Sequence, residues 1–179
     1  MKTKNLILPF FVLFIAFNVS AQSFYDFKVK TLEGKDFDLS SLRGKKVMVV
    51  NTASKCGYTP QYEDLQNLYE QYGKNLVVIG FPANNFANQE PGSASEIRQF
   101  CTDKYEVTFP LMEKISVKGD DMHPLYKWLT SKSLNGVMDS EVKWNFQKYL
   151  IDENGKLIDV IYSKEKPGSE KVIAWLSAK

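Results

Sequence analysis

Histidine is almost missing from this chain: His123 stands alone among 179 residues, which removes any metal site built on paired imidazoles. Cysteine is nearly as scarce, with only Cys56 and Cys101, so a multi-bridge disulfide scaffold is excluded and at most one bridge can form. Long apolar stretches are lacking too. The uninterrupted run from Leu6 to Phe17 spans 12 residues, short of the roughly 20 that cross a bilayer. Repeats, low-complexity tracts and Pro/Ser-rich linkers are likewise missing, which speaks for one domain.

There is no excess of charge of either sign. The 23 basic side chains outnumber the 21 acidic ones by two, and two of them, Lys2 and Lys4, sit at the very start. Beyond that start the charges balance, so no electrostatic argument points to nucleic acid or to an anionic membrane.

What stands at the start is a leader. Lys2 and Lys4 precede LILPFFVLFIAF, and Val19-Ser20-Ala21 offers the small residues that a signal peptidase reads. We expect residues 1–21 to be removed, with residues 22–179 forming a single exported domain, periplasmic or secreted, without stable membrane insertion. In an oxidising compartment the simplest expectation for Cys56 and Cys101 is a structural disulfide.

The remaining chain alternates strands and helices. FKVKTLEGKDFDL, Phe27 to Leu39, alternates about Glu33-Gly34-Lys35 and predicts an N-terminal β-hairpin. Val47 to Val50 reads as a buried central strand. Tyr62, Leu65, Leu68, Tyr69 and Tyr72 recur at helical spacing up to Gly73, and Asn75 to Pro82 supplies a second buried strand. Strand, helix, strand implies a crossover onto a parallel pair. Ser93 with Glu96 forms a capping box for a helix to Tyr105, with Ala94, Ile97, Phe100 and Cys101 on its inward face. His123-Pro124 opens a helix carrying Leu125, Trp128 and Leu129. Asn154-Gly155 marks a second hairpin, and Glu170 to Ala178 a final helix with Val172, Ile173 and Leu176 inward. The fold class is α/β, a central mixed β-sheet flanked by helices on both faces.

Cys56, within NTASKCGYTP, falls in the turn between a central strand and the helix led by Pro60, where reactive groups of open α/β sheets collect. Free N–H groups and the positive end of that helix would favour a thiolate, and Lys55 adds a positive charge nearby. A thiolate is a competent nucleophile at neutral pH. The alternative is an inert buried cysteine, although such residues normally lie within an apolar stripe.

Four blocks in order, NTASKCGYTPQYEDL, GFPANNFANQEPGS, FCTDKYEVTFPLMEKISVKGDDMHPLYKWL and VKWNFQKYLIDENGKLI, resemble the glutathione peroxidase family, in a form with cysteine where selenocysteine can stand. The resemblance runs from about Phe24 to Lys179 and implies a thioredoxin-like fold and the reduction of hydroperoxides. On it, Cys56 is the nucleophile, and Gln89, Trp144 and Asn145 complete the catalytic set. The three are neutral donors, able to hold a sulfur anion and orient a peroxide without adding an acid. Taken without the resemblance, Trp144 reads as a core aromatic and Asn145 as a turn residue.

Cys101 matches a cysteine that resolves the oxidised nucleophile in members lacking selenium. It would condense with a Cys56 sulfenic acid to give a disulfide, and its helix from Ser93 to Tyr105 would have to unwind locally. Otherwise it is a buried core cysteine. The chain departs from the family pattern at Ala83, where a third cysteine is frequent, at Asn85, where Gln is common, and at Ala87-Asn88, which replaces a glycine-containing pair. The short stretch from Leu134 to Glu141 lacks the insertion of tetrameric members, so a monomer is expected.

No cofactor is implied. The co-substrate would be a thiol, from a thioredoxin-like protein or from glutathione. The short loop and Cys101 resemble the thioredoxin-dependent branch, and no basic cluster can be assigned to glutathione carboxylates. Two other readings share the fold. A thiol–disulfide exchange protein would carry C-x-x-C, whereas Gly57, Tyr58 and Thr59 follow Cys56. A non-catalytic redox sensor would pass oxidation to a partner instead of turning over. A peroxiredoxin proper would need Thr or Ser where Ala53 stands.

Overall fold

The computed structural model describes residues 22–178; the leader expected over residues 1–21 lies outside them. The chain opens with a short 3-10 turn, Phe24–Asp26, capped by Ser23. The expected hairpin follows as β1 (Lys28–Lys30) and β2 (Asp36–Asp38), paired antiparallel. It stands apart as its own two-stranded sheet. A second 3-10 turn, Leu39–Leu42, is capped by Asp38.

The central sheet has the order β4-β3-β5-β6, with β3 at Lys46–Thr52, β4 at Leu76–Pro82, β5 at Lys148–Ile151 and β6 at Leu157–Ile161. β3 runs parallel to β4 and antiparallel to β5, and β5 and β6 form the hairpin turned by Asn154-Gly155. Gly155 takes φ +82°, and a Cβ there would meet Tyr25 and the Ser23 hydroxyl at 2.5–2.8 Å. The turn therefore needs glycine for its conformation and for the close approach of the N-terminal segment.

β3 and β4 are buried along their whole length, which explains their continuous apolar runs: both faces of the sheet are covered. Alternate residues feed two cores. Val47 and Val49 of β3, with Ile79 and Phe81 of β4, pack beneath α3 (Pro124–Thr130), which contributes Leu125, Trp128 and Leu129. Met48 and Val50, with Val78, pack beneath α1 (Gln61–Tyr72), α2 (Ala94–Tyr105) and α5 (Glu170–Ser177). Cys56 and Cys101 belong to this second core. One turn of helix, α4 (Lys132–Asn135), was not legible in the sequence.

The capping box at Ser93 and Glu96 forms as expected, and His123 caps α3, its Nδ1 accepting from the Leu125 N–H at 3.2 Å. Two inward faces need correction. In α2 only Ile97 and Cys101 are buried, Phe100 is half-buried and Ala94 is exposed, because α2 packs chiefly against α1 instead of lying along the sheet. In α5 the buried residues are Val172 and Trp175, with Ile173 and Leu176 only flanking them.

Lys46 has an unusual place for an amine. It is 5% exposed at the start of β3, and its Nζ donates to the carbonyls of Trp175 (2.7 Å), Leu176 (3.3 Å) and Ala178 (2.5 Å). A cation thus satisfies the free carbonyls at the C-terminus of α5 and fastens that helix to the sheet.

Candidate active site

Three segments meet at the carboxyl ends of β3 and β4, on the edge where an open α/β sheet presents its loops. The first, residues 53–60, leaves β3 and carries Cys56. Its form is set by Thr59, whose hydroxyl accepts from the Cys56 N–H at 3.0 Å and donates to the Ala53 carbonyl at 2.8 Å. These two hydrogen bonds through one hydroxyl draw the loop tight ahead of α1.

Cys56 is 7% exposed, more buried than a polar turn suggested. The Tyr58 N–H points at its sulfur, 3.4 Å away. The expectation that the first turn of α1 would supply free N–H groups needs correction. Those of Gln61, Tyr62 and Glu63 are taken by the carbonyls of Tyr58, Thr59 and Pro60, because the loop winds straight into the helix. Lys55 is exposed, and its backbone, not its amine, is engaged.

That backbone contact brings in the second segment, the loop after β4. The Lys55 N–H donates to the Gln89 carbonyl at 3.0 Å. Ala87 and Asn88 precede Gln89 in left-handed conformation, φ +51° and +52°, the position where a glycine-containing pair would be easier. The strain is held by local bonds: the Gln89 N–H reaches the Phe86 carbonyl, and Asn84 Oδ1 accepts from the Glu90 N–H at 2.8 Å. Asn85 ties the same loop to residues 116–118.

The third segment leads into β5. Asn145 is fully buried and its Nδ2 donates to Gln89 Oε1 at 3.0 Å. Phe146 adopts φ +62°, strained for an aromatic residue. Its N–H meets the Asn51 carbonyl at 2.6 Å, while Asn51 Nδ2 donates to the Trp144 carbonyl at 3.1 Å. The last turn of β3 therefore clamps residues 144–146 on both sides. Trp144 is 37% exposed and leans on Phe86, ring centroids 5.4 Å apart. A core-aromatic reading of Trp144 fails: the clamp turns it outward, at the rim of the same loops.

Gln89 and Asn145 are thus in direct contact, Trp144 adjoins them along the chain, and the Cys56 loop bonds to the Gln89 backbone. Cys101 lies apart, on α2, fully buried and a free thiol like Cys56. Burial pushes its thiol up to about 11, with the Glu90 charge acting the same way and Tyr62 and Arg98 opposing. At neutral pH it is protonated.

Sequence reading passed over Glu90. Its neighbours in NQEP suggest a loop acid, yet it is 1% exposed, and burial raises its carboxyl above the ordinary range. No local signal marks it, since the burial comes from α2 folding back over the loop.

A family model, glutathione peroxidase, matches residues 24–130. The chain is 46% identical over 148 residues to glutathione peroxidase-like peroxiredoxin 2 of Saccharomyces cerevisiae, covering 82% of this chain and 91% of the yeast protein. It is 46% identical over 151 residues to a hydroperoxy fatty acid reductase of Synechocystis, covering 80% and 88%. Among solved structures, that of Trgpx in apo form superposes with a TM-score of 0.68 at 42% identity, covering 89% of this chain and 98% of the other. A thioredoxin-like fold whose sequence matches at this level over most of its length leaves one conclusion: the chain belongs to the glutathione peroxidase family.

Proposed function

We propose that this protein is a thiol-dependent peroxidase with Cys56 as its nucleophile. The thiolate attacks one oxygen of a hydroperoxide, the O–O bond breaks, and water or an alcohol leaves as Cys56 becomes a sulfenic acid. Gln89, Asn145 and the Trp144 indole supply neutral donors to the sulfur and the leaving oxygen. The relatives named peroxiredoxin and hydroperoxy fatty acid reductase support this class of reaction. The observation that carries it is the Asn145–Gln89 bond beside the Cys56 loop. With Oε1 of Gln89 committed to Asn145, its amino group is the end left to donate.

Cys101 completes the cycle as the resolving thiol, condensing with the sulfenic acid to a disulfide. A thioredoxin-like protein, or glutathione, then reduces it. The burial of Cys56 supports a peroxidase over an exchange protein. A hydroperoxide is small enough to reach a sulfur that is 7% exposed, whereas another protein's thiol needs the site opened first. Opening falls to α2, which buries only two of its 12 residues. The domain acts as a monomer, exported after loss of its leader.

The test is hydroperoxide turnover by residues 22–179 with thioredoxin or glutathione. Cys56→Ser is expected to lose all activity. Cys101→Ser is expected to lose the thioredoxin-driven cycle while still reacting once with peroxide. Full turnover by Cys56→Ser would end the proposal.

A further inference from the structure

Among the described residues, Glu90 is the only acidic side chain in the interior, and the reaction as written above leaves it without a task. The Ser54 hydroxyl and N–H face the carboxyl from the Cys56 loop and relieve its burial in part, but neither carboxyl oxygen reaches full hydrogen-bond geometry with any partner. A buried, unsatisfied carboxyl is costly and is not kept for stability. Lys114 makes its hydrogen bonds to the carbonyls of Glu90 (3.2 Å) and Gly92 (2.7 Å), and its charge and that of Lys55 only partly offset the burial of the carboxyl.

Glu90 lines one cleft with Ser54, two residues before Cys56, and with Ile97 and Phe100 of α2, the residues that flank Cys101 on that helix. Its charge reaches the buried Tyr62 of α1 and Cys101 of α2. A cleft of about 330 Å³ between the Cys56 loop and α2, lined by Ser54, Glu90, Gly92, Ile97 and Phe100 among others, gives a thiol or a water room to enter.

The backbone of Glu90 is anchored independently of α2. Asn84 holds its N–H, Lys114 holds its carbonyl, and Lys55 holds the carbonyl of Gln89. The helix begins at Ala94, beyond these bonds. A carboxyl held by the loop after β4 therefore shares a cleft with α2, the helix that carries Cys101 and that the proposed cycle requires to unwind.

We propose that Glu90 is the proton acceptor of the resolving step. Its carboxylate takes the Cys101 proton as that sulfur attacks the sulfur of the Cys56 sulfenic acid, and hands the proton to the departing hydroxide. The S–O bond breaks, the S–S bond forms and water leaves. Cys101 sulfur is oxidised and Cys56 sulfur reduced by the same electron pair, so no outside oxidant or reductant enters. A protonated thiol is a poor nucleophile, and a largely buried carboxylate held only weakly by Ser54 is a competent base.

The inference rests on Cys101 as the resolving thiol, and the experiment separates the two. The protein receives one equivalent of hydrogen peroxide without reductant, and rapid quenching with a thiol alkylator, read by intact mass, follows sulfenic acid and disulfide. In Glu90→Gln the ratio of condensation rate to oxidation rate is expected to fall by at least about tenfold, within the range of general-base effects. Glu90→Asp is expected to recover most of it. The condensation rate of Glu90→Gln should rise with pH between about 6 and 8, following thiolate formation, more steeply than that of the parent. Lys55, Lys114, Tyr62 and Cys101, with Glu96 of α2 in the same cleft and Arg98 acting on Cys101, are common to all three proteins, so a changed profile reports on Glu90. An unchanged ratio and profile would overturn the proposal, as would equal loss in Gln and Asp variants accompanied by slower amide exchange in α2. If the parent forms no Cys56–Cys101 disulfide, the resolving role falls and this inference with it.

Discussion

The side-chain amide of Asn145 donates to Oε1 of Gln89 at 3.0 Å, joining the loop after β4 to the turn before β5. This bond fixes which end of the Gln89 amide is left free to donate, so in the proposed reaction Asn145 acts through Gln89 as well as by itself. Asn145→Ala is expected to slow the oxidation of Cys56 by roughly 10²-fold, the scale of one lost oriented donor. Asn145→Asp should be worse, since a carboxylate cannot donate and sets a negative charge against the thiolate. Stopped-flow single turnover with hydrogen peroxide measures both. An aspartate variant faster than the alanine variant would contradict the donor role.

The weak attachment of α2 has a readable consequence. Ile97 and Cys101 are its only buried residues, and burial of the Ile97 side chain is worth about 2–3 kcal/mol. The Arg98–Glu33 ion pair, 2.6 Å long but half in solvent, adds on the order of 0.5 kcal/mol. Hydrogen exchange of residues 97–105 is expected to be faster than that of β3 or β4 in the reduced protein, and faster still once peroxide has been added. Equal protection of α2 and the central strands would rule out helix unwinding as the route by which Cys101 reaches Cys56.

Lys148 predicts a pH signature. Its side chain is fully buried in β5, its Nζ donating to Gln61 Oε1 at 2.9 Å and to the Glu165 carbonyl at 2.5 Å. Burial lowers its amine from the ordinary 10.5 to about 7, against the opposing charges of Glu165 and Asp64. Above pH 7 the unfolded chain therefore binds more protons than the folded one, so this residue makes stability rise with pH, by up to about 1.4 kcal/mol per unit. Below pH 7 both states are protonated and the penalty is constant. From pH 9 upward Cys101, whose folded value is about 11 against 9.0, acts with the opposite sign. Urea midpoints between pH 7 and 9 should rise in the parent and rise less in Lys148→Met. Parallel curves would show that Lys148 stays charged when folded.

Ala87 carries strain without packing to offset it. It is exposed, at φ +51°. Ala87→Gly is expected to stabilise the protein by about 1 kcal/mol, seen as a rise of roughly 2–4 °C in thermal midpoint. A fall would mean that the restricted alanine confers more through the unfolded chain than it costs in the native turn.

Most of the scaffold could be read from local pattern. The apolar runs at Val47 to Val50 and Asn75 to Pro82, the capping box at Ser93 and Glu96, the Asn154-Gly155 turn and the cap at His123 all rest on contacts within a few residues. The resemblance in four blocks singled out Cys56, Gln89, Trp144 and Asn145 before any geometry was known. The faces of α2 and α5 were misjudged at Ala94 and Trp175, because which part of a helical stripe is covered depends on where the neighbouring element ends. The one-turn helix Lys132–Asn135 is too short to show a period.

The sequence by itself determined the order of strands and helices and the turn chemistry, since these depend on periodicity and on the chemistry of adjacent residues, and through its resemblance in four blocks it marked Cys56 as the candidate nucleophile. Only the tertiary structure decided that Asn145 meets Gln89, that Trp144 faces outward, that Cys56 takes its N–H from Tyr58, and that Glu90 is sealed between the loop and α2. Each of these follows from how β3 pairs with both β4 and β5. That pairing aligns three loops at one edge of the sheet, and register between distant strands is set by the two cores together, not by any single stretch of chain.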